Sequence, residues 1–286
     1  MRIGRRYHGY REGKYVIPND EAEQDRLDMM HHVYLMLHGG ELHLSPIKED
    51  VQSILDLGTG TGIWAIDMAE KYPAAEVIGV DLSPIQPSWL PNNCRFQVDD
   101  VEDTWNWNRD FDFIHSRAMA VAIKDWPKYI SNIYAALAPG GTAELFESGI
   151  TVFSDDNSIP AGCDIELLFK NYAKALELAG VLDPCVMLEK WMNDAGFADV
   201  KVTRKKLPWG GWPKDKAKKD LGRWTLVTLE TGLKAYAMAL FTRVLGIPEQ
   251  EATRICEGAF KELQNRATHV YSWQWIVTGT KREEDA

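Results

Sequence analysis

The sequence predicts an α/β fold built on a parallel, doubly wound sheet, and two observations carry that prediction. Short apolar runs recur at Val51–Leu57, Glu76–Asp81, Cys94–Asp100, Phe111–His115 and Thr142–Glu147. Helical stretches alternate with them, Ile63–Tyr72 ended by Pro73 and Trp126–Ala138 closed by Pro139-Gly140-Gly141. Strands separated by helices at this spacing are joined by crossovers, which leave neighbouring strands parallel and buried on both faces.

The remaining elements follow in order. Residues 1–17 are basic and aromatic, with Tyr7, Tyr10 and Tyr15, and read as an irregular arm. Asp20 is placed to cap a helix, and Glu23 three residues on completes a capping box. Leu27, Met30, Tyr34 and Leu37 recur at helical spacing before Gly39-Gly40 stops the run. Beyond residue 150 the alternation ends. Helices are predicted over Ile165–Ala179, Leu188–Ala195, Asp220–Leu245 and from Pro248 to about Ala267. Val200–Leu207 and Tyr271–Thr278 alternate as strands and are expected to pair antiparallel at one sheet edge. The helices between them would then form a cap. One domain is expected: an arm and helix over 1–48, a binding core over 49–150, and a cap with the last strands over 151–286.

Composition narrows the function classes. The 286 residues carry 42 Asp plus Glu against 32 Lys plus Arg, a net charge of −10. That balance argues against an extended nucleic-acid surface, which needs a basic stripe; Lys201–Lys206 and Lys214–Lys219 read as solvated faces. With 45% hydrophobic and 26% charged residues the chain can build a sizeable core. No stretch approaches the roughly 18 apolar residues of a membrane span, and no apolar run follows the basic N-terminus as in a secretory signal. Cys94, Cys163, Cys185 and Cys256 are far apart, which fits a reducing compartment and no disulfide framework. The histidines form no metal-ligand spacing, so no metal is expected. Eleven tryptophans suggest an aromatic-lined interior or pocket.

Chemistry concentrates in Leu55-Asp56-Leu57-Gly58-Thr59-Gly60-Thr61-Gly62, a glycine-rich turn leading into a helix. Such a turn lets backbone approach a ligand closely at the partly positive helix N-terminus. A dinucleotide fingerprint would put glycine at position 63, where Ile63 stands, and no Gly-Lys-Ser/Thr ending follows. The loop therefore favours a nucleoside without a pyrophosphate. Asp81 ends the second strand, where a carboxylate can accept both ribose hydroxyls. Asp99 and Asp100 end the third, where one can take an adenine amino proton.

This order resembles the class I S-adenosylmethionine (SAM)-dependent methyltransferases. Leu55–Gly62 is similar to their first motif, Val80-Asp81-Leu82-Ser83 to their second, and Val98-Asp99-Asp100-Val101-Glu102 to their adenine motif. Phe111-Asp112-Phe113 and Leu137–Gly141 resemble later landmarks of the fold. A wider resemblance, to the fungal LaeA-like methyltransferases of secondary metabolism, covers nearly the whole chain. It is carried by Tyr15–Glu21 with Glu23, Arg26 and His31, by Gly60–Asp67, by Asp81–Pro87, by Phe111–His115 with Arg117, by Ser154-Asp155-Asp156 and by Trp212-Pro213-Lys214-Asp215. The resemblance implies a Rossmann-like, seven-stranded, mostly parallel sheet, SAM as methyl donor with S-adenosylhomocysteine as product, and a pocket roofed by the N-terminal helical arm and helical cap insert.

On that footing the expected cofactor contacts are Tyr15, Asp56, Gly58, Thr59, Gly60, Gly62, Asp81, Leu82, Asp99, Asp100, Val101, His115 and Arg117. Tyr7, Tyr15 and Arg117 are candidates for the methionine carboxylate. Methyl transfer is an in-line displacement for which holding the partners supplies much of the catalysis, and a hydroxyl acceptor also wants a base. His115 is the leading base candidate, at the expected carboxyl end of the fourth strand. His269, His31 (the alternative being a pair with Glu23 or Asp28) and Glu147 (the alternative being a pair with Arg117) are the others. Trp64 is expected to pack on the sheet, whereas Trp209, Trp212, Trp273 and Trp275 are candidates for an aromatic acceptor pocket. The expected activity is O-methylation of a small fungal secondary metabolite. The alternatives are a regulator of secondary metabolism acting through protein partners, and a protein methyltransferase. A homodimer or regulatory partner, no direct nucleic-acid or membrane contact, and a cytoplasmic or nuclear location complete the expectation.

Overall fold

A computed structural model describes residue 6 and residues 17–283. Its centre is a sheet of seven strands: β1 Ser53–Leu57, β2 Glu76–Asp81, β3 Cys94–Val98, β4 Phe111–Arg117, β5 Leu137–Ser148, β6 Ala198–Pro208 and β7 Tyr271–Thr280. The spatial order is β3-β2-β1-β4-β5-β7-β6. The first five strands are parallel, and β7 runs antiparallel to both β5 and β6. The chain winds outward one way from β1 through β3 and the other way from β4. A crevice therefore opens at the carboxyl ends of β1 and β4, where such sheets take their ligands.

Side-chain alternation explains the two layers. Ile54 and Phe113 face Trp64, Ala65 and Met68 of α2 (Ile63–Lys71). Leu55, Leu57 and Ile114 face the opposite way, into a cluster with Trp126, Tyr129, Ile130 and Ile133 of α3 (Trp126–Ala136). Every residue of β1 is buried, as a central parallel strand requires. Each fully buried large aliphatic or aromatic side chain here contributes roughly 1.5–3 kcal/mol of transfer free energy.

Helix α1 (Glu21–His38) begins as expected, the Asp20 carboxylate accepting the Glu23 N–H at 3.2 Å. The capping box is only half made, because the Glu23 side chain turns to Arg26 instead of returning to the cap. Strand β5 starts at Leu137, directly after α3, so Pro139-Gly140-Gly141 is the bulged opening of a strand, not a break before one. A Cβ on Gly141 would sit 2.9 Å from the Phe111 carbonyl oxygen of the neighbouring strand.

The cap consists of α1, α4 (Asp164–Leu178), α6 (Lys216–Ala239) and α7 (Glu249–Leu263), while α5 (Leu188–Asp194) packs beside α3. Ile165, Leu168, Leu229, Leu233, Phe241 and Ile255 give the cap its own apolar core. The single helix expected over 220–245 starts earlier, at Lys216 with Asp215 as its cap, and loosens at Leu240–Val244 into a π-helical turn. Among the described residues no helix is long and apolar enough to cross a membrane.

Candidate active site

The glycine-rich turn is built so that backbone forms the cavity floor. Gly58, Gly60 and Gly62 all have left-handed φ, at 72°, 58° and 82°. Side chains are shut out as well: a Cβ on Gly58 would fall 2.1 Å from the Met119 sulfur, and one on Gly62 2.3 Å from the Phe96 ring. The Val80 carbonyl accepts the Gly58 and Thr59 N–H groups, both at 2.9 Å. Asp81 accepts the Gly60 N–H through Oδ2 and the Ser83 N–H through Oδ1, each at 2.9 Å. Asp81 itself lines the cavity. Leu82, Asp99, Asp100 and Val101 line the same side. Asp99 and Asp100 brace their own loop, accepting the N–H of Asp100 at 2.8 Å and of Glu102 at 3.0 Å.

Asp56, Thr59 and Gly62 stand behind this floor, not on it. Asp56 takes the Thr59 hydroxyl at 2.5 Å and the His115 Nδ1 at 2.7 Å, and is itself buried. His115 is 1% exposed and stacks on Trp64 with ring centroids 3.8 Å apart. The expectation of His115 as base or cofactor contact thus meets a different geometry: β4 continues two residues further, to Arg117, and leaves the imidazole inside the α2 layer.

Arg117, the last residue of β4, does reach the cavity. Its Nη2 lies 3.2 Å from His31 Nδ1, and its Cζ sits 5.0 Å from the Tyr34 ring centroid. A guanidinium only donates, so His31 accepts at Nδ1 and carries its proton on Nε2, directed at Asp67 Oδ2 2.8 Å away. Burial lowers the pKa of His31, which keeps the ring neutral as this arrangement needs. His31 therefore pairs with Asp67 rather than Glu23 or Asp28, and it holds Arg117 from behind instead of facing an acceptor. Asp28 serves elsewhere, taking the Thr61 hydroxyl at 2.6 Å and tying α1 to the glycine turn.

Glu147 lines the cavity one residue before the end of β5 and is 1% exposed. Its oxygens accept the Met119 N–H at 2.7 Å and the Ala120 N–H at 3.1 Å, so its partner is backbone and not Arg117. Burial outweighs those two bonds and pushes its pKa up to about 8. His269 lies apart, bonded through Nδ1 to Asp156 at 2.5 Å and tilted against Trp212. Of the four candidate tryptophans only Trp209 lines the cavity. Trp212 donates to the Val270 carbonyl, and Trp273 and Trp275 hold the Arg204 guanidinium on the other face of β7. Tyr7 and Tyr15 lie outside the described residues.

The cavity, about 270 Å³, joins these strand ends to the cap. Its cap side is formed by Tyr34, Phe169, Tyr172, Trp209, Leu233 and Tyr236, together with the pair Glu23–Arg26. Sequence reasoning gave the cap tyrosines no role, because cap helices follow no motif. The one available signal was a charged pair, Glu23 and Arg26, set among the apolar stripe of α1. The residues fit SAM: a glycine floor closed to side chains, the Asp81 carboxylate on the cavity wall at the end of β2, and Arg117, which no carboxylate among the described residues pairs with. No group of described residues could hold a metal ion.

Comparison with known proteins agrees with this geometry. The methyltransferase-domain family matches residues 29–202. The chain is 45% identical over 268 residues to the methyltransferase pytC of Aspergillus terreus, covering 93% of this chain and 83% of the relative. It is 38% identical over 294 residues to the secondary metabolism regulator LAE1 of Cochliobolus heterostrophus, covering 99% and 95%. Among solved structures, a Haemonchus contortus phosphoethanolamine N-methyltransferase 2 superposes with a TM-score of 0.51 at 20% identity, over 93% of this chain and 61% of that one, a likeness of fold. The chain belongs to the methyltransferase-domain family and is a SAM-dependent methyltransferase.

Proposed function

We propose that this methyltransferase O-methylates a small secondary metabolite inside the cavity between strand ends and cap, with Glu147 as general base. When bound, SAM supplies an activated methyl group on a sulfonium. The chain's own residues do the rest. Asp81 accepts the ribose hydroxyls, Asp99–Val101 frame the adenine, Leu82 packs beside it, and Arg117, steadied by His31 and Asp67, receives the methionine carboxylate. The turn Gly58–Gly62, braced by Asp56 and Thr59, fixes the depth of the donor. The cap excludes water and aligns the acceptor hydroxyl, whose proton passes to Glu147.

The observation that carries this reading is Glu147 itself: a buried carboxyl on the cavity wall with a pKa raised to about 8. A base matched to the working pH is what a phenol or enol acceptor needs. Residues 1–286 would act as one methyltransferase domain, in the cytoplasm or nucleus, without contacting nucleic acid. A second reading is supported by the 38% identity to a regulator over 99% of this chain, namely action through a protein partner or a protein substrate. Methyl-labelled SAM, incubated with the purified protein and fractionated fungal extract, separates the two. Label in a discrete low-mass product is the expected result; label confined to the protein pool would replace it with the second reading.

A further inference from the structure

The cap side of the cavity contains one charged pair in a wall of rings and aliphatic side chains. Glu23 and Arg26 are 2% and 3% exposed. Arg26 Nη2 donates to Glu23 Oε1 at 2.6 Å, and its Nε lies 3.1 Å from both carboxylate oxygens. Desolvating two charges costs several kcal/mol per ion before their attraction is counted, and apolar residues of equal volume often hold a fold as well or better. A pair kept at a cavity wall points instead to recognition. Gly232 of α6 lies over the pair, where a Cβ would stand 3.4 Å from the Arg26 Cδ. Four residues on, Tyr236 lays its ring 4.9 Å from the Arg26 Cζ.

The chemistry of this group is specific. Glu23 already neutralises Arg26, so the pair does not call for an anion. Tyr34, Tyr172 and Tyr236 border the same space, and burial above all raises their pKa values, so all three stay un-ionised. Guanidinium N–H and phenol O–H groups seek oxygen lone pairs, while Phe169 and Trp209, packed against each other at a 55° tilt, add apolar ring surface to the wall. We propose that this part of the cavity is the acceptor subsite, taking a neutral, flat aromatic or quinone-like molecule whose hydroxyl or carbonyl oxygens accept hydrogen bonds from Arg26 and Tyr236. The inference rests on the reading of the cavity as a methyl-transfer site.

Equilibrium dialysis of the protein saturated with S-adenosylhomocysteine tests it, with 2,7-dihydroxynaphthalene and naphthalene as probes. The diol should bind at least about tenfold more tightly than the hydrocarbon, the effect of one or two net hydrogen bonds. Arg26→Met combined with Glu23→Leu removes the pair without stranding either charge, and Tyr236→Phe removes one hydroxyl. Both variants should bring the ratio below about threefold while S-adenosylhomocysteine binding, followed by calorimetry, stays unchanged. A ratio that survives in both variants, equal binding of the two probes, or retention of neither overturns the subsite. If the wild-type protein fails to bind S-adenosylhomocysteine at all, the methyl-transfer reading falls and the subsite with it.

Discussion

Asp81 accepts one backbone N–H on each oxygen, from Gly60 in the glycine turn and from Ser83 in its own loop, so removing its carboxylate loosens the glycine floor as well as the proposed ribose contact. Asp81→Ala should weaken SAM binding by about 1–3 kcal/mol, and an unchanged affinity by calorimetry would refute the ribose role. His31 acts one step further back. His31→Ala frees Arg117 from its only acceptor among the described residues, so the SAM Kd should rise by roughly tenfold while kcat at saturating donor changes little. A drop in kcat alone would make His31 part of the chemistry. Glu147→Gln should slow transfer about 10²–10⁴-fold and abolish a rate limb that rises with pH through about 8, since only the ionised carboxylate accepts a proton. Most of the strand-end wall of the cavity was legible in the sequence, because Gly58, Asp81 and Asp99 sit in turns with fixed spacing. Glu147 stood there as one of four base candidates, and nothing in the sequence ranked it above His115. Two unread residues at the end of β4 turn His115 from a rim residue into a stacked, buried one, and bring Arg117 to the rim.

Helix α6 shows what an element can conceal. Its period was readable, but its start, its π-helical end and its glycines depend on neighbours far away in the chain. Gly222 lies where α6 crosses the loop after β6, and a Cβ there would stand 2.1 Å from the Gly210 carbonyl oxygen. That atom is backbone and cannot swing aside. Gly222→Ala should therefore destabilise the protein by about 1–3 kcal/mol and lower Tm, despite the better helix propensity of alanine; a raised Tm in thermal melts would show that the loop yields. The strands were more legible than the helices because a parallel core strand is apolar whatever lies beside it. The exception is β5: Pro139-Gly140-Gly141 reads as a stop, yet the close approach of the Phe111 carbonyl makes it a bulge.

Across the whole molecule, the buried titratable groups pull stability in opposite directions as pH changes. Glu147 is raised from 4.5 to about 8, so the folded state holds a proton that the unfolded chain releases. Its contribution is full below pH 4.5 and is lost as the pH rises through about 8. His38 is lowered from 6.5 to about 3 by burial, and His31 and His43 are lowered as well. These three favour the fold above 6.5 and cost stability as the pH falls below it. Tm should therefore peak near pH 6.5 and decline toward 8, and Glu147→Gln should flatten the alkaline side. A wild-type Tm that still climbs between those values would contradict the burial of Glu147. Strand order carries a consequence for biosynthesis. Because β7 lies between β5 and β6, β6 has no neighbour in the sheet until Tyr271–Thr280 has been made. A nascent chain must hold β6 and the edge of β5 open while the ribosome adds the whole stretch from α6 to α7, a window in which chaperones would find their binding site.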